Sequence, residues 1–184
     1  MSLTYSPAIT GATTLPSFSL PTVDGRMVST SSLKDARAFV FVFMCNHCPY
    51  VKAIENRLLQ LAQYCRLNQI YFAGICSNDP LEYPEDSPKE LLKTWTEKKY
   101  AFDYLLDEDQ TVAKLFGAVC TPDFFVYNQE QELVYRGRLD DSWRDEKKVK
   151  NEELKEALKL VLSGKKPNSN EQKPSMGCSI KWKK

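Results

Sequence analysis

Six cysteines and a single histidine are the most reactive side chains in these 184 residues, and three of the seven fall at positions 45–48. Cys45-Asn46-His47-Cys48 follows an apolar run, Ala38 to Phe43, and precedes an amphipathic stretch from Val51 to Cys65. A Cys-x-x-Cys pair between a strand and a helix is suited to thiol–disulfide exchange. Its first sulfur then stands at a helix N-terminus, where unpaired N–H groups and the helix dipole stabilise the reactive thiolate. A partly protonated imidazole at His47 favours the same anion.

Two other chemistries use such a pair. A zinc site needs two further ligands, usually another close pair. Cys65, Cys76, Cys120 and Cys178 are scattered singly and no second histidine exists, so no metal is expected. Inert packing of both thiols is the other alternative. Cys65 lies on the apolar stripe of its segment and reads as a packed side chain, and Cys76 ends an apolar strand.

The elements that position the pair follow from periodicity. Leu15 to Pro21 alternates apolar and polar residues, Val23-Asp24-Gly25-Arg26 is a turn, and Met27-Val28-Ser29 returns as a partner strand. Ser32 to Asp35 is a short connector. Ala38–Phe43 has no charge and reads as a central strand buried on both faces. Val51, Ile54, Leu58, Leu61, Ala62 and Cys65 form one helical stripe. Ile70–Cys76 is a second buried strand, which implies a right-handed parallel crossover. Ser87-Pro88-Lys89-Glu90 has the form of a capping box opening a helix to Lys98. A strand over 102–106, a helix over 109–116 stopped by Gly117, a hairpin of 124–127 with 132–136, and a helix through Leu154, Ala157, Leu158 and Val161 complete the pattern.

A length of 184 residues with 42% hydrophobic content suits one domain with a sizeable core, taken as residues 1–164, followed by a polar tail over 165–184. A net charge of +1 without a basic face argues against nucleic acid as a partner, and no apolar run approaches a membrane span. Met1 to Pro16 lacks the pattern of a secretory signal. The expected location is cytoplasmic, where paired cysteines are more often catalytic than structural.

This order of elements resembles the thioredoxin fold. The expected class is α/β, three layers α/β/α, with an N-terminal β-hairpin extension and a redoxin-type insertion between Cys76 and Leu106. The chain is similar to bacterial thioredoxin-family proteins of the alkyl hydroperoxide reductase/thiol-specific antioxidant-like group. The similarity runs through Phe43–Tyr50, Cys120-Thr121-Pro122-Asp123-Phe124-Phe125, Tyr135–Asp141 and Lys173–Cys178. The resemblance implies that Cys45 is the attacking, helix-capping cysteine and Cys48 the buried resolving one. It implies that His47 occupies the position of the histidine in protein disulfide isomerases. Pro122 is then the cis-proline beside the dithiol, with Thr121 ahead of it at a substrate-binding position. Two departures stand out. Met44 replaces the thioredoxin tryptophan, and Phe39 replaces the buried aspartate, which leaves the proton acceptor of Cys48 without a candidate.

The expected function is thiol–disulfide oxidoreduction, with a potential of roughly −270 to −120 mV, no cofactor, and a thiol system as reductant. A protein or small-molecule disulfide is the expected substrate. The alternative is a thiol peroxidase with Cys48 as peroxidatic cysteine, aided by Arg136 or Arg138. A copper carrier is disfavoured by the cysteine spacing and the position of the histidine. Cys178 follows a Gly-Pro-Ser-rich stretch that cannot form core, so it is expected to be mobile or lightly docked and is a possible third redox centre.

Overall fold

The apolar run ahead of the cysteines forms the middle strand of a five-stranded sheet. A computed structural model describes residues 3–7, 14–33 and 35–184. In chain order the elements are β1 (Leu3–Tyr5), β2 (Ser19–Pro21), β3 (Met27–Ser29), β4 (Ala38–Phe43), α1 (Pro49–Leu67), β5 (Ile70–Cys76) and α2 (Pro88–Glu97). They continue with β6 (Asp103–Leu106), α3 (Thr111–Phe116), β7 (Cys120–Thr121), β8 (Asp123–Asn128), β9 (Leu133–Gly137), α4 (Glu153–Leu162) and β10 (Met176–Ser179). Lys34 of the expected connector, and residues 1–2 and 8–13 of the N-terminal segment, lie outside the described residues.

The main sheet has the order β6-β5-β4-β8-β9, with β4, β5 and β6 parallel and β8 and β9 antiparallel. All six residues of β4 are buried, as its lack of charge requires. Ala38, Val40 and Val42 point to the α1 and α4 side. Phe39, Phe41 and Phe43 point to the opposite core with Phe18, Val112 and Phe116. Phe116 receives the edges of Phe41 and Phe43 at centroid distances of 5.5 and 5.4 Å. A sheet covered on both faces is the thioredoxin-like α/β architecture.

Helix α1 buries the stripe read from the sequence, and Leu58 is fully enclosed. Enclosing one such side chain stabilises the fold by about 1.5–3 kcal/mol. Arg57 joins this buried face because its guanidinium bonds Asp140 and the carbonyls of Ser142 and Trp143. The β2–β3 hairpin forms in the expected register, Leu20 opposite Val28, with Gly25 at φ 86° in the turn. Helix α2 begins after Ser87, but the Ser87 side chain makes no capping bond, so the expected capping box does not close.

The polar tail departs from its expected character. Residues 176–179 form β10, the middle strand of a second sheet ordered β1-β10-β7. Cys178 pairs with Leu3 on one side and Thr121 on the other. Strand pairing and serine hydrogen bonds fasten the segment, together with the buried side chains of Cys178 and Ile180. Ser6 and Ser175 exchange bonds of 2.9 and 2.8 Å, and the Ile180 amide donates to Val119 O at 2.9 Å. Ser175, Gly177, Cys178 and Ile180 are buried. Among the described residues, no helix is long and apolar enough to cross a membrane.

Candidate active site

Cys45 lies in the turn that leaves β4, and Cys48 is the N-cap of α1. The sequence reading had Cys45 cap the helix. Pro49 instead starts the helix one residue after Cys48, because its fixed φ suits the first turn and its missing N–H is not needed there. Both thiols are buried, Cys45 to 2% exposure and Cys48 to 0%.

The two sulfurs share a proton unequally. The hydrogen bond from Cys45 draws the Cys48 thiol well below the ordinary range. Burial opposes this, but the Thr121 hydroxyl and the amides of Val51 and Cys178 add to the lowering. The same bond raises Cys45, and burial and the Asp86 charge raise it further. Both directions favour the proton on Cys45 and the thiolate on Cys48, where the amides of Val51 and Cys178 converge. Protonated, Cys48 donates to Thr121 O at 3.2 Å. The Thr121 hydroxyl is 3.7 Å from Cys45 Sγ.

His47 is beside Cys45, with Nδ1 3.7 Å from the sulfur. It has a closer partner that local spacing did not reveal, for Nδ1 is 2.5 Å from Asp86 Oδ2. Asp86 also accepts the amides of Asn46 at 2.8 Å and His47 at 3.3 Å, and the Asn78 side chain at 2.8 Å. Burial pushes the Asp86 carboxyl up, but these donors outweigh it and hold the group below its usual range. Tyr83 stacks on the imidazole at 4.7 Å. Asp86 fixes the turn yet brings an anion near Cys45. Asp86→Asn is expected to lower the Cys45 pKa and to speed alkylation of Cys45 below neutral pH. An unchanged pH–rate profile for iodoacetamide would contradict that electrostatic role.

Thr121–Pro122 is a cis peptide, as the resemblance implied. Pro122 borders a cavity of about 420 Å³ with Tyr50, Trp143 and Met176. Cys178 lies beside Cys48, to which it is joined by a side-chain hydrogen bond, and burial pushes its thiol up to about 12. Cys76 and Cys120 are also near this group, and burial raises both. Cys65 packs under α1, with burial pushing its thiol up to about 12. Arg136 binds Asp123 at 3.0 Å and Gly117 O at 2.7 Å, and Arg138 binds Glu153 at 2.5 Å. Both guanidinium groups are committed to carboxylates.

Cys45, His47 and Asp86 each offer one ligand atom, all within 4.8 Å of one another. A cation held by His47 Nδ1 and Asp86 Oδ2 together would have to part their 2.5 Å contact, since two ligands each about 2.0–2.2 Å from one tetrahedral ion lie well over 3 Å apart.

Cys45 and His47 open onto a cleft of about 940 Å³, walled by α1 and by the segment from Tyr83 to Tyr100. Cys48 does not line it. The redoxin-type insertion thus supplies both the cleft wall and Asp86.

Residues 12–136 match the model of the AhpC/TSA family. An uncharacterized conserved protein from Geobacillus kaustophilus has 41% sequence identity and a TM-score of 0.92, with 100% of this chain and 97% of that one covered. A hypothetical protein from Sinorhizobium meliloti has 37% identity and a TM-score of 0.92, with 98% of each chain covered. A secreted Mycobacterium tuberculosis disulfide oxidoreductase shares the fold at 20% identity and a TM-score of 0.53, over 63% of this chain and 79% of that one. No curated protein matches.

Proposed function

Because the chain belongs to the AhpC/TSA family, we propose that it is a thiol–disulfide oxidoreductase in which Cys45 attacks a substrate disulfide and Cys48 resolves the product. The observation that carries this reading is the pairing of a cleft-facing thiol with a sealed thiolate that shares its proton. As Cys45 attacks, its proton passes to Cys48. A Cys45–substrate bond forms, the substrate S–S bond breaks, and one thiolate leaves. Cys48 then attacks the Cys45 sulfur and its proton goes to the second leaving thiolate. The dithiol loses two electrons to the substrate, and a thiol reductant restores it. Cys48 is in this scheme the base for Cys45, so no buried carboxylate is required. Thr121 steadies both sulfurs, and Pro122 shapes the adjoining wall. We assign the reaction to the cytoplasm, where the reducing poise keeps such thiols reduced.

A second reading is favoured by one observation. The negative charge rests on Cys48, at the helix N-cap, where a peroxidatic cysteine would stand. Against it, Cys48 is fully enclosed and neither Arg136 nor Arg138 is spare. Serine variants of the two cysteines separate the readings. Peroxide consumption that survives in Cys45→Ser and vanishes in Cys48→Ser would establish the peroxidase.

Cys178 enters the proposal as a third redox centre. Its thiol attacks the Cys48 sulfur of the Cys45–Cys48 disulfide. A Cys48–Cys178 bond forms, Cys45 leaves as thiolate, and it takes the Cys178 proton. Cys45→Ser removes the competing partner, so mild oxidation of that variant is expected to give a Cys48–Cys178 disulfide on peptide mapping. Recovery of Cys178 fully as thiol while Cys48 oxidises would leave it a packing role.

A further inference from the structure

An extended protein segment is commonly held beside a reactive residue by pairing with a free strand edge. At this dithiol the edge of β7 that carries Thr121 is already occupied. The adjoining strand, β7, is paired by β10, and β10 is paired by β1. The seam admits no insertion. A Cβ at Gly177 would overlap the Thr121 carbonyl oxygen and lie 2.6 Å from its carbon. Thr121 O also serves Cys48. Beyond β10, Ile180 and Lys181 are bonded to Val119 O and Asn78 Oδ1 at 2.9 and 2.8 Å.

Access to sulfur is left to the cleft over Cys45. Cys45 is exposed to only 2%, so the approach of a bulky protein disulfide is more restricted than that of a small one. A volume of about 940 Å³ is in the range of small-molecule sites. The floor near Cys45 is formed by His47, Val51 and Tyr83, while Lys52 faces the cleft from α1 and Glu85 and Glu90 from the other wall. Among the described residues, Lys52, Glu85 and Glu90 make no ion pair, whereas Lys98 is taken by Glu55 at 2.7 Å. The walls therefore present both signs of charge to a ligand around an apolar, aromatic floor.

We propose that the substrate is a low-molecular-weight disulfide bearing both ammonium and carboxylate groups, admitted through the Cys45 cleft, and not a protein disulfide bound as a strand. This rests on the oxidoreductase reading. The test uses the reduced full chain in single-turnover reactions with oxidised glutathione, cystamine, 3,3′-dithiodipropionate and insulin. Each rate is divided by that of the same disulfide with dithiothreitol, which removes intrinsic reactivity. Oxidised glutathione should exceed insulin by about tenfold or more, equivalent to about 1.4 kcal/mol, and should exceed both single-sign disulfides. Lys52→Ala should slow oxidised glutathione and leave cystamine unchanged. Insulin reduced as fast as oxidised glutathione would overturn the inference and leave the oxidoreductase intact. Equal rates for all three small disulfides would overturn the assignment of charge. Failure to reduce any of the four would overturn the oxidoreductase reading itself.

Discussion

Replacing Cys45 with serine is expected to lower disulfide reduction by about a thousandfold or more, the scale of losing a covalent nucleophile. Cys48 remains, but it is fully enclosed and has no surface on the cleft. Cys48→Ser has a different phenotype. Cys45 still meets the substrate, more slowly because the thiolate that takes its proton is gone, and the reaction stops at the mixed disulfide. Acid quenching and mass spectrometry should then find the substrate thiol attached to the Cys45 peptide. In Cys45→Ser no adduct should accumulate. An adduct on Cys48 in Cys45→Ser, formed at the wild-type rate, would reverse the two roles.

Gly177→Val should have a large effect from outside the dithiol. Even the first added carbon overlaps the Thr121 carbonyl, and the atoms in its way are backbone. Relief requires β10 to move off β7. Overpacking of this kind costs about 1–3 kcal/mol, which for a chain of this size lowers Tm by roughly 2–12 °C. The displacement also takes the Cys178 amide away from Cys48, so the Cys48 thiolate is expected to titrate at higher pH. Thiolate absorbance at 240 nm reads that shift. Ser179→Ala, a truncation on the same strand, should leave both Tm and the titration near wild type. A Gly177→Val protein with an unmoved Cys48 titration would show that β10 does not tune the site.

The parts legible in sequence were those set by local pattern. The uncharged run at Ala38–Phe43, the α1 stripe and the Asp24-Gly25 turn each announce themselves within a few residues, whereas the Thr121–Pro122 position came from the family resemblance. The parts that escaped depend on pairing across the chain. Asp86 sits in an acidic, proline-rich loop, and only the fold carries it to His47, 39 positions away. The tail docks largely through hydrogen bonds, from the Ser175 amide to Ser6 Oγ, from the Ser175 hydroxyl to Gly137 O and from the Ile180 amide to Val119 O, which a polar composition does not advertise. The N-cap of α1 is Cys48, three residues beyond the expected Cys45. At that position the amides of Val51 and Cys178 add to the lowering of Cys48 that the hydrogen bond from Cys45 begins.

The central claim is that Cys45 and Cys48 form one two-electron couple. Equilibration of the protein in glutathione redox buffers, followed by acid quenching and thiol-specific mass labelling, measures it directly. The expected result is a two-electron transition, with a midpoint between roughly −270 and −120 mV, mapping to a Cys45–Cys48 disulfide that neither serine variant can form. Absence of a transition in the wild-type chain, with both thiols labelled across the whole range, would contradict it.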